Sequence, residues 1–552
     1  MKEQVQKYLP FIATSALMWV VLAFIFPHYK YYVDPDATAY LTISARYAVG
    51  DYSRAVNGLW GPWACWLTAI LIKSGLAAIP AAIVVNAAGG AGFHLMSHSL
   101  FLRFQVDRRK QWLFNSVFAV FIVFAVFWQT FDDLWQCFFL TAVLRILLVT
   151  DFTIKTRLWV LAGGVGALSY FAKAYSIPFF ALSTTVCVYV LTNGHLKQTF
   201  KVMAVSGGVM LLCSFPWMAA LHSKYGIWTT STAGGLNMSW YLVGHPEWKD
   251  SIDILLPPVY PNSTYYWEDP YVVNGHLSHF WDSWYLALRM VLRLGYNVLS
   301  FVVCLLELSV FFPVVWLYVL GRLVMQKKYG SLPVSEKDIY LTFLLLPAGY
   351  IMVHLESRYL WYMVPVGMIA GVKLIERRYS GNERRISMFT MLWALSFVVF
   401  PLLSMKKLYN EGEKEYRFAQ KLSSAGLTGI SFVSNLHPRL LSKIAFFSRN
   451  SFYVISKQKV DTGVIDPSKM KLENTDVLEK EVVRYRVGYY LHADKSSGKL
   501  MNPGFYDLFY ENLRDSTGVI NLPVVLQDAE SGITVYRIVR DSLEVNANQP
   551  AP

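Results

Sequence analysis

Apolar runs long enough to cross a bilayer recur along the first three quarters of this 552-residue chain. A helix needs about 20 such residues to span the hydrocarbon core. Spans are expected near 10–27, 78–101, 112–130, 134–150, 158–172, 177–192, 202–221, 297–321, 339–354, 359–375 and 387–405, about eleven in all. Each run must close its own backbone hydrogen bonds as a helix, because the bilayer core offers no water to an exposed N–H or C=O. Only 16% of the residues are charged, against about 25% in an ordinary soluble chain. Lipid is the solvent this composition suits.

The net charge of +13 would fit nucleic acid or an anionic membrane surface, and its placement decides between them. With the N-terminus in the cytoplasm, about eighteen Lys and Arg residues fall in inward segments, Arg108, Arg109, Lys110, Arg384 and Arg385 among them. The short outward loops hold about five. The charge is topological, so nucleic acid is excluded as a partner. An odd number of spans puts the C-terminal end outside. Pro27-His28-Tyr29-Lys30 after the first run is no small-residue cleavage site, so that run reads as a retained anchor. The five cysteines lie in or beside apolar runs, which leaves no disulfide framework or Cys-based zinc site to expect outside the membrane.

The expected fold is an α-helical polytopic membrane protein with a C-terminal soluble α/β domain. Residues 1–405 form the transmembrane domain, with outer loops at 28–62 and 222–295. Residues 37–49 and HLSHFWDSWYLALRMVLRL in those loops have apolar positions at helical spacing and read as interfacial helices. From 406 to 552 the composition turns soluble. The helical run KEYRFAQKLSSAG and the β-rich runs GISFVSN, SFYVISK, RVGYYLHA and GITVYRIV predict a small extracytoplasmic α/β domain. The tail VNANQPAP is expected to be disordered.

Polar residues at the mouths of the outward helix pairs carry the chemistry. Asp34 and Asp36 flank Pro35 just after the first span, with Tyr40 one helical turn on. They are either solvated loop acids or hold a general base close to the membrane. Asp132 and Asp133 occupy the short turn FDDLW, where capping of the following helix would explain them. Lys173 stands where the positive-inside bias disfavours a lysine, and suits either lipid headgroups in general or one lipid phosphate. In VHLESRYLWY, the fork of Arg358 can pair with Glu356 or take an oxyanion, beside His354 and Tyr359. His245, with His276 and His279, offers imidazoles without the HExxH spacing of a metal site. A transporter or lipid flippase is the rival class. It would need ionisable groups along a path through the bundle, where Glu307 is nearly alone.

Asp36-Ala37-Thr38-Ala39-Tyr40, then Gly50-Asp51, then Trp60-Gly61-Pro62-Trp63 resembles the first outer loop of the GT-C glycosyltransferases, especially the aminoarabinose transferases and protein O-mannosyltransferases. Asp132–Asp133, Lys173 and the Arg358-Tyr359 pair also fall where that family places such residues. The resemblance covers roughly residues 1–400 and implies a GT-C-like fold at a bacterial inner membrane, with active site and C-terminal domain on the periplasmic side. It implies transfer of a sugar from a polyprenyl-phosphate donor to a lipid, glycan or protein hydroxyl, with inversion. Asp36 matches the family's catalytic aspartate by its spacing to Tyr40. Lys173 and Arg358 would hold the donor phosphate. The chain departs from the pattern at Ala37, where the family has Glu, and carries an additional acid at Asp34. That leaves Asp34 as an alternative base or as a holder of the acceptor or a divalent metal. The resemblance requires no other cofactor.

Overall fold

The computed structural model describes residues 2–128, 131–243, 255–273, 277–455, 481–493 and 520–540. The expectations for His245, His276 and the tail 545–552 fall outside those residues. The chain divides into two compact units. One comprises Met1–Tyr32, Ile43–His245 and Ser278–Asn410, the other Val33–Thr42, Pro246–Leu277 and Glu411–Pro552.

The first unit is helical, and each expected apolar run overlaps helix within it. Among the described residues, six helices are both long and apolar enough to cross a membrane, and three shorter apolar helices accompany them. The protein is an integral membrane protein. Side-chain caps set several helix starts: Asp107 accepts from the Arg109 N–H to open Arg108–Phe127, and Asn382 accepts from Arg385 to open Glu383–Leu408.

Two local features depart from the sequence reading. The run 297–321, expected as one span, is interrupted: one helix covers Trp284–Leu308 and a second Phe312–Val324. The stretch expected as a separate interfacial helix is continuous with the first of these. Asn297 Nδ2 donates to Ile351 O at 2.8 Å and Val353 O at 3.2 Å, fixing its level at the end of the Val334–Val353 helix. At the break, Ser309 Oγ meets Ser396 Oγ at 2.5 Å, and Phe312 fills the gap against Phe343 and Trp393. The second departure is a short apolar helix, Pro62–Lys73, in addition to the expected runs. Its twelve residues are too few to cross a bilayer.

Three helices, Lys2–Tyr29, Ala78–Arg103 and Arg108–Phe127, are joined by a buried polar chain. Lys7 O can only accept, so His98 Nε2 carries a proton toward it at 3.0 Å. His98 Nδ1 then accepts from Asn115 Nδ2 at 3.0 Å, and Asn115 Oδ1 takes the His94 Nε2–H at 2.9 Å. The Ser15 hydroxyl closes the chain on His94 Nδ1 at 3.1 Å. Asn115→Leu strips a partner from both imidazoles, and each polar group so stranded costs about 1–3 kcal/mol. The midpoint of thermal unfolding in detergent should fall by several degrees. An unmoved midpoint would deny the network its structural role.

The second unit is α/β. Its sheet runs, in spatial order, Ser451–Phe452, Ser431–Ser434, Tyr489–Ala493, Ile533–Arg537, Val524–Asp528. The first three strands are parallel and the last two antiparallel additions. Helices Glu413–Ser424 and Pro438–Ser448 supply Phe418, Leu422, Leu441 and Ile444 to a core with Phe432, Phe452, Leu491 and Val535. The β-rich runs read from the sequence are strands here. The strand Val524–Asp528 is further to them.

Residues from the second loop add a separate two-stranded sheet and contacts to the strand Ser451–Phe452. Leu255–Leu256 pairs antiparallel with Val454–Ile455. The Phe452 N–H reaches Thr264 O at 2.9 Å, and the Tyr265 ring stacks on Phe452 with centroids 4.7 Å apart.

Candidate active site

Pro35 starts the helix Pro35–Val49, and the two acids beside it have different duties. Asp34 caps the helix, its Oδ1 accepting the Ala37 N–H at 2.7 Å. Asp36, half-buried in the first turn, accepts the Trp267 Nε1–H at 3.0 Å. Tyr40 is buried one turn later. Trp267 is therefore oriented by a hydrogen bond to an acid.

In the first unit, Asp133, Lys173, His354, Glu356, Arg358 and Tyr359 come together. Lys173 ends the helix Thr156–Ala172 in extended backbone, three residues before the next helix opens at Ser176. Its ammonium pairs with Asp133 Oδ1 and lies 3.9 Å from the centroid of the Tyr359 ring. Arg358 sits on the short turn Ser357–Leu360. Its Nε is 2.7 Å from Glu356 Oε2 and 3.9 Å from Asp133 Oδ2. His354 Nε2 approaches Glu356 Oε1 at 3.1 Å, and its ring stacks on Tyr241 with centroids 3.9 Å apart. Tyr359 stacks on Tyr350 at 4.6 Å, and Tyr350 packs on Tyr175 at 3.9 Å.

Two cations thus share one carboxylate whose side chain is only 4% exposed, while Lys173 keeps 26% of its surface. Burial works to raise the Glu356 pKa. The Arg358 guanidinium, helped by the hydrogen bond from His354, overrides it and brings the value down to about 2. A depressed acid contributes its full stability above its ordinary value of 4.5, and that contribution is lost progressively as pH falls from there through about 2. Glu356 stays ionised in mild acid.

Asp132 has a further duty. Its Oδ1 accepts the Ala64 N–H at 3.3 Å, capping the Pro62–Lys73 helix rather than only its own. Gly61 makes that approach feasible. A Cβ there would lie 2.2 Å from Ala172 O and 2.7 Å from Asp132 Oδ2. Gly61→Ala should cost stability at the upper end of the roughly 1–3 kcal/mol typical of overpacking, read as a lowered melting temperature in detergent. A wild-type melting temperature would contradict the close approach.

Among the described residues, no group of three or more His, Cys, Asp or Glu side chains is placed to hold a metal ion. His279 lies 3.7 Å from Asp282. Sequence reasoning missed the tyrosines beneath the cations, Tyr350 and Tyr175. The available signal was a phenol inside an apolar run, as at Tyr350 in PAGYIMVH.

No family model matches the chain, and no curated protein matches it in sequence. Solved structures do. ArnT from Cupriavidus metallidurans in the apo state aligns with a TM-score of 0.56 at 12% identity, covering 97% of this chain and 98% of that one. The same protein bound to undecaprenyl phosphate aligns with a TM-score of 0.53 at 13% identity over the same shares. The chain has an ArnT-like fold. That likeness of fold agrees with the resemblance read from the first loop. At this identity the likeness to ArnT is one of fold.

Proposed function

We propose that this protein is a membrane glycosyltransferase that moves a sugar from a polyprenyl-phosphate donor to a hydroxyl on the outer face of the membrane. The observation that carries the reading is the convergence of Lys173 and Arg358 on Asp133, in a chain that shares its fold with a protein that binds undecaprenyl phosphate. A lipid phosphate needs cations fixed at headgroup depth, and these two are held by a carboxylate and by aromatic rings. Asp133 balances their charge until the phosphate arrives.

The proposed reaction is a single displacement. Asp36 takes the proton of the acceptor hydroxyl, whose oxygen attacks the anomeric carbon on the face opposite the phosphate. The bond from that carbon to the phosphate oxygen breaks, and its electron pair leaves with the lipid phosphate. Lys173 and Arg358 stabilise the charge that develops there, an electrostatic contribution that often dominates such sites. The displacement inverts the anomeric centre. The acceptor is a lipid, glycan or protein hydroxyl, and the setting is a bacterial inner membrane with the reaction on its periplasmic side.

The test is reconstitution of the purified chain in vesicles with a polyprenyl-phosphate sugar and envelope acceptors. Glycosylated product should appear together with free polyprenyl phosphate. Movement of the lipid across the vesicle without a covalent product would overturn the proposal in favour of a flippase.

A further inference from the structure

The second unit joins three separated stretches of chain: Val33–Thr42, Pro246–Leu277 and Glu411–Pro552. The first carries Asp36, the second Trp267, and the third the sheet. Their connections form a continuous chain of contact. The strand Leu255–Leu256 is hydrogen-bonded along the strand Val454–Ile455, which follows directly on the sheet strand Ser451–Phe452. Thr264 O and the Tyr265 ring are both fastened to Phe452. Tyr265 and Tyr266 are buried in the core of the α/β domain, with Phe432, Leu441 and Leu491. Trp267 follows at once in the turn Tyr266–Glu268 and donates its indole N–H to Asp36 Oδ1 at 3.0 Å.

We infer that Trp267 is a positioning residue for the base Asp36, and that the C-terminal α/β domain serves the reaction by holding Trp267 in place. This rests on the reading of Asp36 as the base. A carboxylate in the first turn of a helix that follows a proline can turn about its own side-chain bonds. A general base works only when one lone pair is aimed at the hydroxyl it must deprotonate. The indole N–H engages Oδ1 and so sets the plane of the carboxylate and the direction of Oδ2. The indole is itself set by its neighbours in sequence, whose rings are packed against a β-sheet. The phenol of Tyr265 lies in the field of Asp36 and Asp34, with Arg439 as the nearby cation. Burial first, and then those two acids, hold its pKa well above the ordinary phenol value. Tyr265 therefore stays neutral beside the base and does not compete for its proton. The α/β domain, for which the sequence offers no catalytic set, acquires a task through this contact.

The test compares three variants of the full chain reconstituted in vesicles. Trp267→Phe keeps the ring and removes the N–H. It should lower kcat by about ten- to a hundredfold, the loss expected when a reacting group is misaimed by a fraction of an ångström to an ångström, and leave KM for the donor unchanged. Phe452→Leu keeps an apolar side chain in the sheet and removes the ring stacked on Tyr265. It should move kcat in the same direction by a smaller factor, again with KM held. Asp36→Asn serves as the reference. A dead Asp36→Asn beside a Trp267→Phe whose kcat stays within about twofold of wild type, far inside the predicted loss, overturns the inference and leaves the base assignment standing. A loss that appears in KM alone also overturns it. An active Asp36→Asn overturns the base assignment, and the inference with it.

Discussion

Asp36→Asn should lower sugar transfer by about two to four orders of magnitude, the contribution typical of a positioned general base. The substitution preserves shape. The amide oxygen can still accept the Trp267 N–H, so the first turn of the helix and its buried neighbours Ala37, Thr38 and Ala39 have no reason to move. What is lost is the lone pair that takes the proton. The check pairs a rate measurement with a thermal melt, and the melt should be unchanged. Asp34→Asn is the natural contrast. Asparagine caps a helix about as well as aspartate, so the Ala37 N–H stays satisfied and activity should persist. If Asp34→Asn abolishes transfer and Asp36→Asn does not, the two acids exchange roles.

The second large effect concerns Lys173. Lys173→Met keeps the stem against Tyr359 and removes the charge. Charge-assisted hydrogen bonds contribute roughly 1.5–3 kcal/mol, so affinity for polyprenyl phosphate should fall about ten- to a hundredfold. The variant also leaves the buried Asp133 carboxylate without its nearer cation, which destabilises the fold for a separate reason. The double variant Lys173→Met with Asp133→Asn removes that imbalance. It should recover the melting temperature but not the affinity. Recovery of both would mean that Lys173 acts only as the counter-ion of Asp133, and would take it out of the phosphate site.

How much of this could be read beforehand follows from where the physics is local. Bilayer thickness imposes a length on every span, so the apolar runs announce themselves. The break at 309–311 is invisible by that criterion. Val310 and Phe311 are as apolar as the residues around them, and only Ser309 and Pro313 hint at it. The Pro62–Lys73 helix escapes because it is too short to count as a span. Lys173 and Arg358 stand out because cations are scarce where they lie. That both share Asp133 depends on how three helices pack, which no single stretch of sequence encodes. Asp132 and Asp133 read as a pair of caps for one helix. In the folded chain one caps a different helix and the other anchors the cations. The contact from Trp267 to Asp36 crosses 231 positions and has no local signature at all.

That separation has a consequence for biosynthesis. Ribosomes add about 5–20 residues per second, so Asp36 emerges roughly ten to fifty seconds before the indole that orients it. The sheet that steadies the indole is translated later still. Nascent chains can therefore thread into the bilayer span by span while the acid remains unaligned. Competence arrives only with the last portion of the message, and prematurely terminated copies would be inserted yet inert.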